Sequence, residues 1–513
     1  MAVITVNKFS GVSPMTPPRY LSNEAAQTAL NCPVWKGSLQ PIKGALELTP
    51  SPLTKSGNIK SIYRFGQSET NQLNHWFHWT TDVDVVQGFI SGDTTERTYF
   101  TGDGNPKVTN ATLGLTGGGN LYPIAAYDIG VPKPTGTFTT AKTGTASANT
   151  TAETRVYTFT YVNSFGEEST PYSETDTEDV FPGESVVVTL PTAPSGNFNV
   201  TKKRIYRSAV GTANTSYFFV AEVAVAVTTY TDSLDGDDLN EELPSLTWVQ
   251  PPSTLKGLVG MPNGVMAGFS GNDVYFSEPF RPFAWPTQYV QTVGYPVVGL
   301  GVIDTTVVVL TKGRPYFIQG SHPDSSVMVE ADVNQACISK RSIVSMNNNV
   351  FFASPDGVVA LSPGGSSIVT ESLFDKETWQ AQSPDDLVAC MYESQYVGFF
   401  DTTSGNGGFV YDMKQKTWNF HNVYVTGAYN DLKNDSLYII KSNELYKWDS
   451  GSDLSYTWKS KKYTFPEPKS FSCYRVEAEG YPVTVKIYKD SSAVVNLSVT
   501  DNSLRRLPPG LGT

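Results

Sequence analysis

The chain has 513 residues, with 37 Lys and Arg against 49 Asp and Glu for a formal net charge of -12, which excludes a counterion-releasing nucleic-acid binder built on clustered cations. A single hydrophobic core cannot serve this length, so two to four domains are expected. Hydrophobic residues make up 39% and charged residues 17%, with 43 Gly, 33 Pro, 27 Tyr and 26 Phe, a composition that favours strands and turns over charge-faced helices.

Residues 1 to about 50 read as an extended arm, interrupted by Pro14, Pro17, Pro18, Pro33 and Pro41. Only Ser22 to Leu30 escapes them, where Ser22 is placed to cap a short helix running through Ala29. From Ile59 to about Phe100 the pattern is strand-like: IKSIYRF alternates, and HWFHWTTDVDVVQGFI carries aromatic and β-branched residues. Leu113 to Asn120 reads as a loop. Pro132, Pro134 and the Thr, Gly, Ala and Ser tract reaching Ala152 read as a linker.

A new unit starts at Arg155. RVYTFTYVNSF alternates, GEESTP turns, and ESVVVTL, KKRIYRS and SYFFVAEV follow, each bounded by Gly, Pro or Asn. Strands at this spacing over some ninety residues describe a β-sandwich. The acidic stretch Asp232 to Glu242 and Pro244 close it.

From about Leu255 to Trp448 a β run, a turn rich in Gly, Asn or Asp, and a second β run recur. The copies are VVVLTKGRPYFI, VFFASPDGVVAL, YVGFFDTTSGNGGFVYDMKQKTW and SLYIIKSNELYKWD. A period near forty residues is that of four-stranded propeller blades, and the strands from Ile59 are expected to supply a further blade; a barrel or stacked sandwiches are the alternatives. The last segments, YTWKSKKYTF, FSCYRVEAEG and VTVKIYKD, form another antiparallel unit that projects from the platform. The expected fold is therefore all-β: a propeller-like platform with an inserted fibronectin type III/Ig-like β-sandwich and a C-terminal β unit. Its divisions are 1–134 for the arm and first platform strands, 150–245 for the sandwich, 248–450 for the platform and 451–513 for the C-terminal unit.

Chemistry is sparse. Cys32, Cys337, Cys390 and Cys473 are scattered without a CxxC pair, so buried reduced thiols are expected rather than a zinc site or a disulfide framework. His75 and His78, three apart in a strand, point to opposite faces and do not form a metal pair. Asp232, Asp235, Asp237 and Asp238 lack the alternate-ligand spacing of a calcium loop and read as a solvated acidic hinge. The glycines at Gly117 to Gly119 and in GNGG from Gly405 to Gly408 lack the Lys-Ser/Thr of a phosphate loop and read as turns, as do Gly264, Gly268 and Gly271. Asp356, Asp375 and Asp401 are the carboxylates considered for glycoside hydrolysis, but pairing needs geometry that sequence does not carry. There is no GxSxG element, and four His leave little for a nucleophilic triad. No catalytic, cofactor or metal residue is expected, and no enzyme activity. The start Met-Ala-Val-Ile-Thr-Val has no basic segment followed by a long apolar one, so no signal peptide is expected. Val297 to Leu310 is broken by Asp304, Thr305 and Thr306 and is too short to cross a bilayer.

Four segments together resemble the tail nozzle (tail tubular protein B-type) family of short-tailed bacteriophages. They are FSGVSPMTPPRYLSNEAAQTALNCPVWKGSLQPIKG in the arm; YTFTYVNSFGEESTPYSE with KKRIYRS; WVQPPSTLKGLVGMPNGVMAGFSGNDVYFSEPFRPFAWP from Trp248 to Pro286; and LRRLPPGLG at the end. They occur in the family's order, and each is a packing motif without chemistry. The resemblance implies a structural subunit of the virion tail, made in the host cytoplasm. It implies a homo-oligomer, a ring of six, docked to an adaptor (head-to-tail connector) protein and to tail fibres or spikes. Double-stranded DNA would pass through the lumen without sequence-specific binding, and loops lining the channel would hold it until receptor engagement shifts the subunits. An acidic wall suits passage, because it repels phosphate. Family members continue past Pro-Pro-Gly-x-Gly with a Trp-containing strand, whereas this chain stops at Thr513, which implies a shorter tip or a last strand supplied by a neighbour. The alternatives from other classes are a receptor- or carbohydrate-binding tail component and a tail-associated glycan hydrolase.

Overall fold

A computed structural model describes residues 3–34, 38–66, 75–117, 119–173, 175–208, 216–239, 241–400, 407–467, 469–489 and 492–507, with backbone only at 492–494. Among them strands dominate, and the only α-helices are the single turns Ala111–Leu115 and Lys376–Gln380.

Seven small antiparallel sheets follow one another along the chain as blades. Blade 1 is the pair Ser61–Arg64 and Trp76–Trp79. Blade 2 holds Asp84–Gln87, Thr98–Thr101, Lys107–Thr109 and Tyr127–Asp128. Blade 3 runs Lys256–Gly260, Met266–Ser270, Asp273–Phe276 and Gln291–Thr292, and blade 4 runs Val297–Ile303, Thr306–Thr311, Tyr316–Gln319 and Val327–Glu330. Blade 5 has Val344–Met346, Asn349–Ser354, Gly357–Ser362 and Gly365–Ile368. Blade 6 has Val388–Tyr392, Gln395–Phe399, Gly408–Asp412 and Thr417–His421, and blade 7 has Gly427–Asp431, Ser436–Lys441 and Glu444–Lys447.

The cores show that these blades close into a ring, because each junction between successive blades has its own apolar cluster. Phe65, Phe77, Trp79 and Phe100 join blades 1 and 2. Tyr99, Val108, Leu258 and Met266 join 2 and 3. Phe269 and Val274 meet Leu300 and Val307 between 3 and 4, and Val308 and Leu310 meet Phe352 and Val359 between 4 and 5. Phe351 and Val358 meet Tyr396 and Phe409 between 5 and 6, Val397 and Phe399 meet Leu437 and Ile439 between 6 and 7, and Tyr438 and Ile440 return to Ile62 and Trp76 of blade 1. Seven junctions for seven blades make a closed seven-bladed propeller. Alternation explains the arrangement: successive side chains of one strand face opposite neighbours, so a buried strand such as Val307–Leu310 feeds two junctions at once.

Strands from elsewhere complete two blades. Leu46–Glu47 pairs with Glu444–Lys447 on blade 7. Ala26–Leu30 lies beside Thr417–His421 of blade 6 and is itself flanked by Thr457–Ser460. This corrects the expected helix over Ser22 to Ala29. The turn forms, with the Ala25 N–H donating to Ser22 Oγ at 3.2 Å, but Ala26 and Ala29 are then buried in the blade 5/6 core, and that burial in a sheet overrides helix propensity. Thr457–Ser460 likewise belongs to the platform and not to the C-terminal unit.

The sandwich is inserted between blades 2 and 3. One sheet orders Asp176–Val180, Glu153–Asn163, Val200–Ser208 and Tyr217–Ala224; the other orders Thr229–Asp232, Glu184–Thr189 and Thr139–Gly144. Tyr157, Phe159, Tyr161, Val186, Val188 and Ile205 fill the space between them. The expected linker therefore contains a strand: Thr139–Gly144 pairs along Glu184–Thr189 as an exposed edge, so its polar Thr-rich composition hid it. The expected loop at Leu113 to Asn120 begins inside the helical turn Ala111–Leu115, which Asn110 caps through a 2.9 Å bond from the Leu113 N–H.

Beyond blade 6 the chain continues as the hairpin Val483–Lys489 with Ser492–Val499, beside the pair Cys473–Tyr474 and Arg505–Arg506. No described residue after Trp458 enters any of the eight apolar clusters.

Candidate functional site

A propeller's axis is where a ligand site is first sought, and here it is crossed by side chains. The turn Lys340–Ser342 enters from between blades 4 and 5. Lys340 Nζ lies 2.7 Å from Asp84 and 3.4 Å from Asp82, at the first strand of blade 2. The Gly257 N–H of blade 3 donates to the same Asp84 carboxylate at 3.1 Å. Arg341 donates to the Lys60 carbonyl at 2.9 Å and the Thr426 carbonyl at 2.5 Å, at the entries to blades 1 and 7. Burial pulls the Lys340 pKa down, but the two carboxylates raise it beyond its ordinary value, so it stands as a charged strut between opposite sides of the ring. Away from the axis, a cavity of about 30 Å³ lies beside Ile42, Tyr392 and Trp448 between blades 6 and 7 and one of about 10 Å³ beside Val265, Phe276 and Ile318 between blades 3 and 4, each room for a water and far below a ligand pocket of several hundred Å³.

The seat of the sandwich is a second cluster of buried charge. Arg97 at the edge of blade 2 reaches Glu167 at 3.4 Å, and Glu167 is 2% exposed. Asn163 Nδ2 donates to Glu167 at 2.8 Å, and Phe165 stacks under the Arg97 guanidinium at 4.7 Å. Burial pushes the Glu167 carboxyl up to about 7, against the pull of Asn163 and Arg97. Its neighbour Glu168 accepts from Thr160 and Tyr206 hydroxyls at 2.6 Å each and pairs with Arg204 at 2.8 Å. Both glutamates lie in the GEESTP segment that reads as a plain turn; the detectable signal was two adjacent acids inside an apolar alternation. Inside the sandwich Asp232 is fully buried, 2.6 Å from Arg207 and 2.7 Å from the Tyr157 hydroxyl. It is thus no part of a solvated hinge, whereas Asp235 to Asp238 form an exposed 3-10 turn.

The remaining sequence candidates are not brought together. His78 is buried: its Nε2 accepts the N–H of Thr54 and Lys55 at 3.1 Å each, which places the ring proton on Nδ1, 2.9 Å from the Trp76 carbonyl. Burial lowers its pKa to about 4. His75 instead faces the ring of Tyr122. Asp356 pairs with Lys376 at 2.8 Å and Asp375 caps the helical turn after it through the Thr378 N–H, so both are structural; Asp401 lies outside the described residues. Gly117, Gly119, Gly264, Gly271 and Gly407 have positive φ as turns require, with Gly118 and Gly405 outside the described residues. Gly268 is different: it sits within the strand Met266–Ser270, where a Cβ would meet Leu255 at 2.9 Å, so close packing and not turning requires it. Cys32 and Cys337 are buried thiols, whereas Cys390 is half-buried and Cys473 is exposed on the C-terminal unit. Among the described residues no group of three His, Cys, Asp or Glu could hold a metal, and no helix is long and apolar enough to cross a membrane.

What the surface does offer is open β edges. Val327–Glu330 is exposed at all four residues, with Val327 at 61% and Val329 at 50%. The hairpin Val483–Lys489 exposes Tyr488, over which Lys459 sits at 4.4 Å.

No protein-family model and no curated protein matches this sequence. Among solved structures, the chain is similar to BamB from Moraxella catarrhalis, at 10% identity over 79% of this chain and 95% of that one with a TM-score of 0.33. It is also similar to the Pan2 WD40 domain of Neurospora crassa, at 8% identity over 53% and 85% with a TM-score of 0.27. A third likeness is BBS1N crystallised with ARL6DN, at 10% identity over 79% and 96% with a TM-score of 0.31. At such scores the propeller assignment rests on the ring of seven junctions itself.

Proposed function

We propose that this chain is a structural nozzle subunit of a short-tailed phage tail, which assembles as a ring around the DNA path beneath the adaptor. The observation that carries the reading is the C-terminal unit: a two-stranded hairpin and a two-residue strand pair in which, among the described residues, Val495 and Val499 are the buried apolar side chains and none joins a larger core. An isolated hairpin is at best marginally stable in water, so this unit is built to be completed by neighbours. The bridged axis supports the same reading, because Lys340 and Arg341 tie the inner strands of several blades to one another across it. DNA would then run between subunits and not through any one propeller. The four family-like segments supply the arm strand of blade 6, the sandwich, the crossing into blade 3 and the final strand pair, all joints of the architecture.

The test is localisation. Antibodies raised against the purified chain should decorate the tail of intact short-tailed particles from the source of the sequence; labelling of fibres alone, or none, would overturn the nozzle reading. In the first case the receptor-binding alternative takes its place, and a glycan array on the isolated chain then decides it.

A further inference from the structure

The propeller extends two of its blades by strand addition, and one of the others keeps an exposed apolar edge. Blade 6 receives Ala26–Leu30 and then Thr457–Ser460, and blade 7 receives Leu46–Glu47. The outer strands of blades 2 and 3, Tyr127–Asp128 and Gln291–Thr292, are two residues long, too short to template a partner. Blade 5 ends in the polar GSSI of Gly365–Ile368. Blade 4 ends in VMVE, paired to Tyr316–Gln319 on its inner side and with no pairing strand on its outer side. Among the described residues it is the one exposed four-residue apolar blade edge without a donated strand, since the Trp76–Trp79 edge of blade 1 is buried throughout. A free, apolar edge is an aggregation template unless something covers it.

The chain also holds a strand without a sheet. Val483–Lys489, VTVKIYK, pairs only with Ser492–Val499. Val483, Val485 and Ile487 are half-buried on one face, opposite the buried Val499 and Val495 of the partner strand, with Thr484 and Lys486 exposed on the other. The charges match: Ser321 to Gln335 contains Asp324, Glu330 and Asp332 and no Lys or Arg, and Tyr481 to Lys489 contains Lys486 and Lys489 and no acid. Glu330 is already engaged by Arg314 at 2.9 Å, which leaves the exposed Asp324 and Asp332 to meet the incoming Lys486.

Resting on the ring reading above, we infer that Val483–Lys489 of one copy adds as an outer strand to Val327–Glu330 on blade 4 of the next copy. The contact is heterologous, so it closes into a ring where the rotation from copy to copy divides a full turn, and backbone hydrogen bonds supply its affinity while the Val and Ile face and Lys486 set its register.

Two experiments decide it. In a Cys473→Ser background, chains carrying Val329→Cys are mixed with chains carrying Lys486→Cys and treated with a short bismaleimide. Covalent dimers should form only in the mixture. In parallel, Val327→Glu with Val329→Glu, both at exposed positions, should leave far-UV circular dichroism and melting unchanged yet lower the ring fraction roughly tenfold or more, because two carboxylates would be desolvated at the contact. Rings that persist in the double variant, without mixed cross-links, would overturn this inference and leave the nozzle reading standing. Loss of fibre binding with rings intact would likewise overturn it, assigning the edge to another protein. A wild-type chain that forms no ring, together with variants that give no mixed cross-link, would overturn both.

Discussion

Replacing Glu167 by Gln isolates the cost of a carboxylate buried at the seat of the sandwich. Glu167 is 2% exposed, with one arginine at 3.4 Å and one amide at 2.8 Å as its polar neighbours. Burial dominates and lifts its pKa from 4.5 to about 7, which corresponds to about 3 kcal/mol of preference for the protonated folded form. The higher pKa belongs to the folded state, so this stabilisation is complete below the ordinary carboxyl pKa and is lost as the pH rises through about 7. Gln imitates the protonated group at every pH. Urea denaturation of the two proteins should therefore show the variant ahead by about 1 kcal/mol at pH 5 and about 3 kcal/mol at pH 8. Curves that stay parallel across this range would show that Arg97 keeps Glu167 ionised throughout, and would refute the primacy of burial.

Acid should act in the opposite sense through the histidines. Burial depresses His78 and His421 from 6.5 to about 4, so the stability they contribute is full above the ordinary histidine pKa and is lost as the pH falls through about 4; a His78→Gln variant should flatten the acid limb of a melting-temperature profile. Asp232→Ala strands Arg207, fully buried, without its 2.6 Å partner, and should cost about 3–5 kcal/mol in chemical denaturation. Trp285→Ala removes a 1% exposed ring and the 2.8 Å bond from its Nε1 to the Pro282 carbonyl, for a loss of about 3–5 kcal/mol. Lys340→Ala leaves Asp84 and Asp82 facing each other without their cation, and calorimetry should register a loss of about 1–3 kcal/mol.

Local chemistry made the hairpins legible. Turns at Asp304, Asn347 and Asn348, Asp435, and Ser442 and Asn443 adopt positive φ between apolar runs, and those residue types favour that geometry, so strand pairs in blades 4, 5 and 7 could be read directly. The alternating runs from Arg155 to Val223 gave the sandwich for the same reason. Donated strands were not legible: Ala26–Leu30 carries helix-forming residues, and what makes it a strand is a slot between Thr417–His421 and Thr457–Ser460, contributed from almost the far end of the chain. Thr139–Gly144 failed for the opposite reason, since an exposed edge needs no apolar alternation. The blade count needed the closing contact between Tyr438 and Trp76, stacked edge-on at 4.7 Å. The strut across the axis joins Lys340 to Asp84 over 256 residues, and nothing near either residue in sequence announces the other.

The central claim is assembly into a ring, and the most direct measurement is multi-angle light scattering of the purified chain with and without its adaptor, read beside negative-stain images. A species near six times the 55.9 kDa chain, seen as a hollow ring, is the expected result. A monomer that persists both alone and with the adaptor would contradict it.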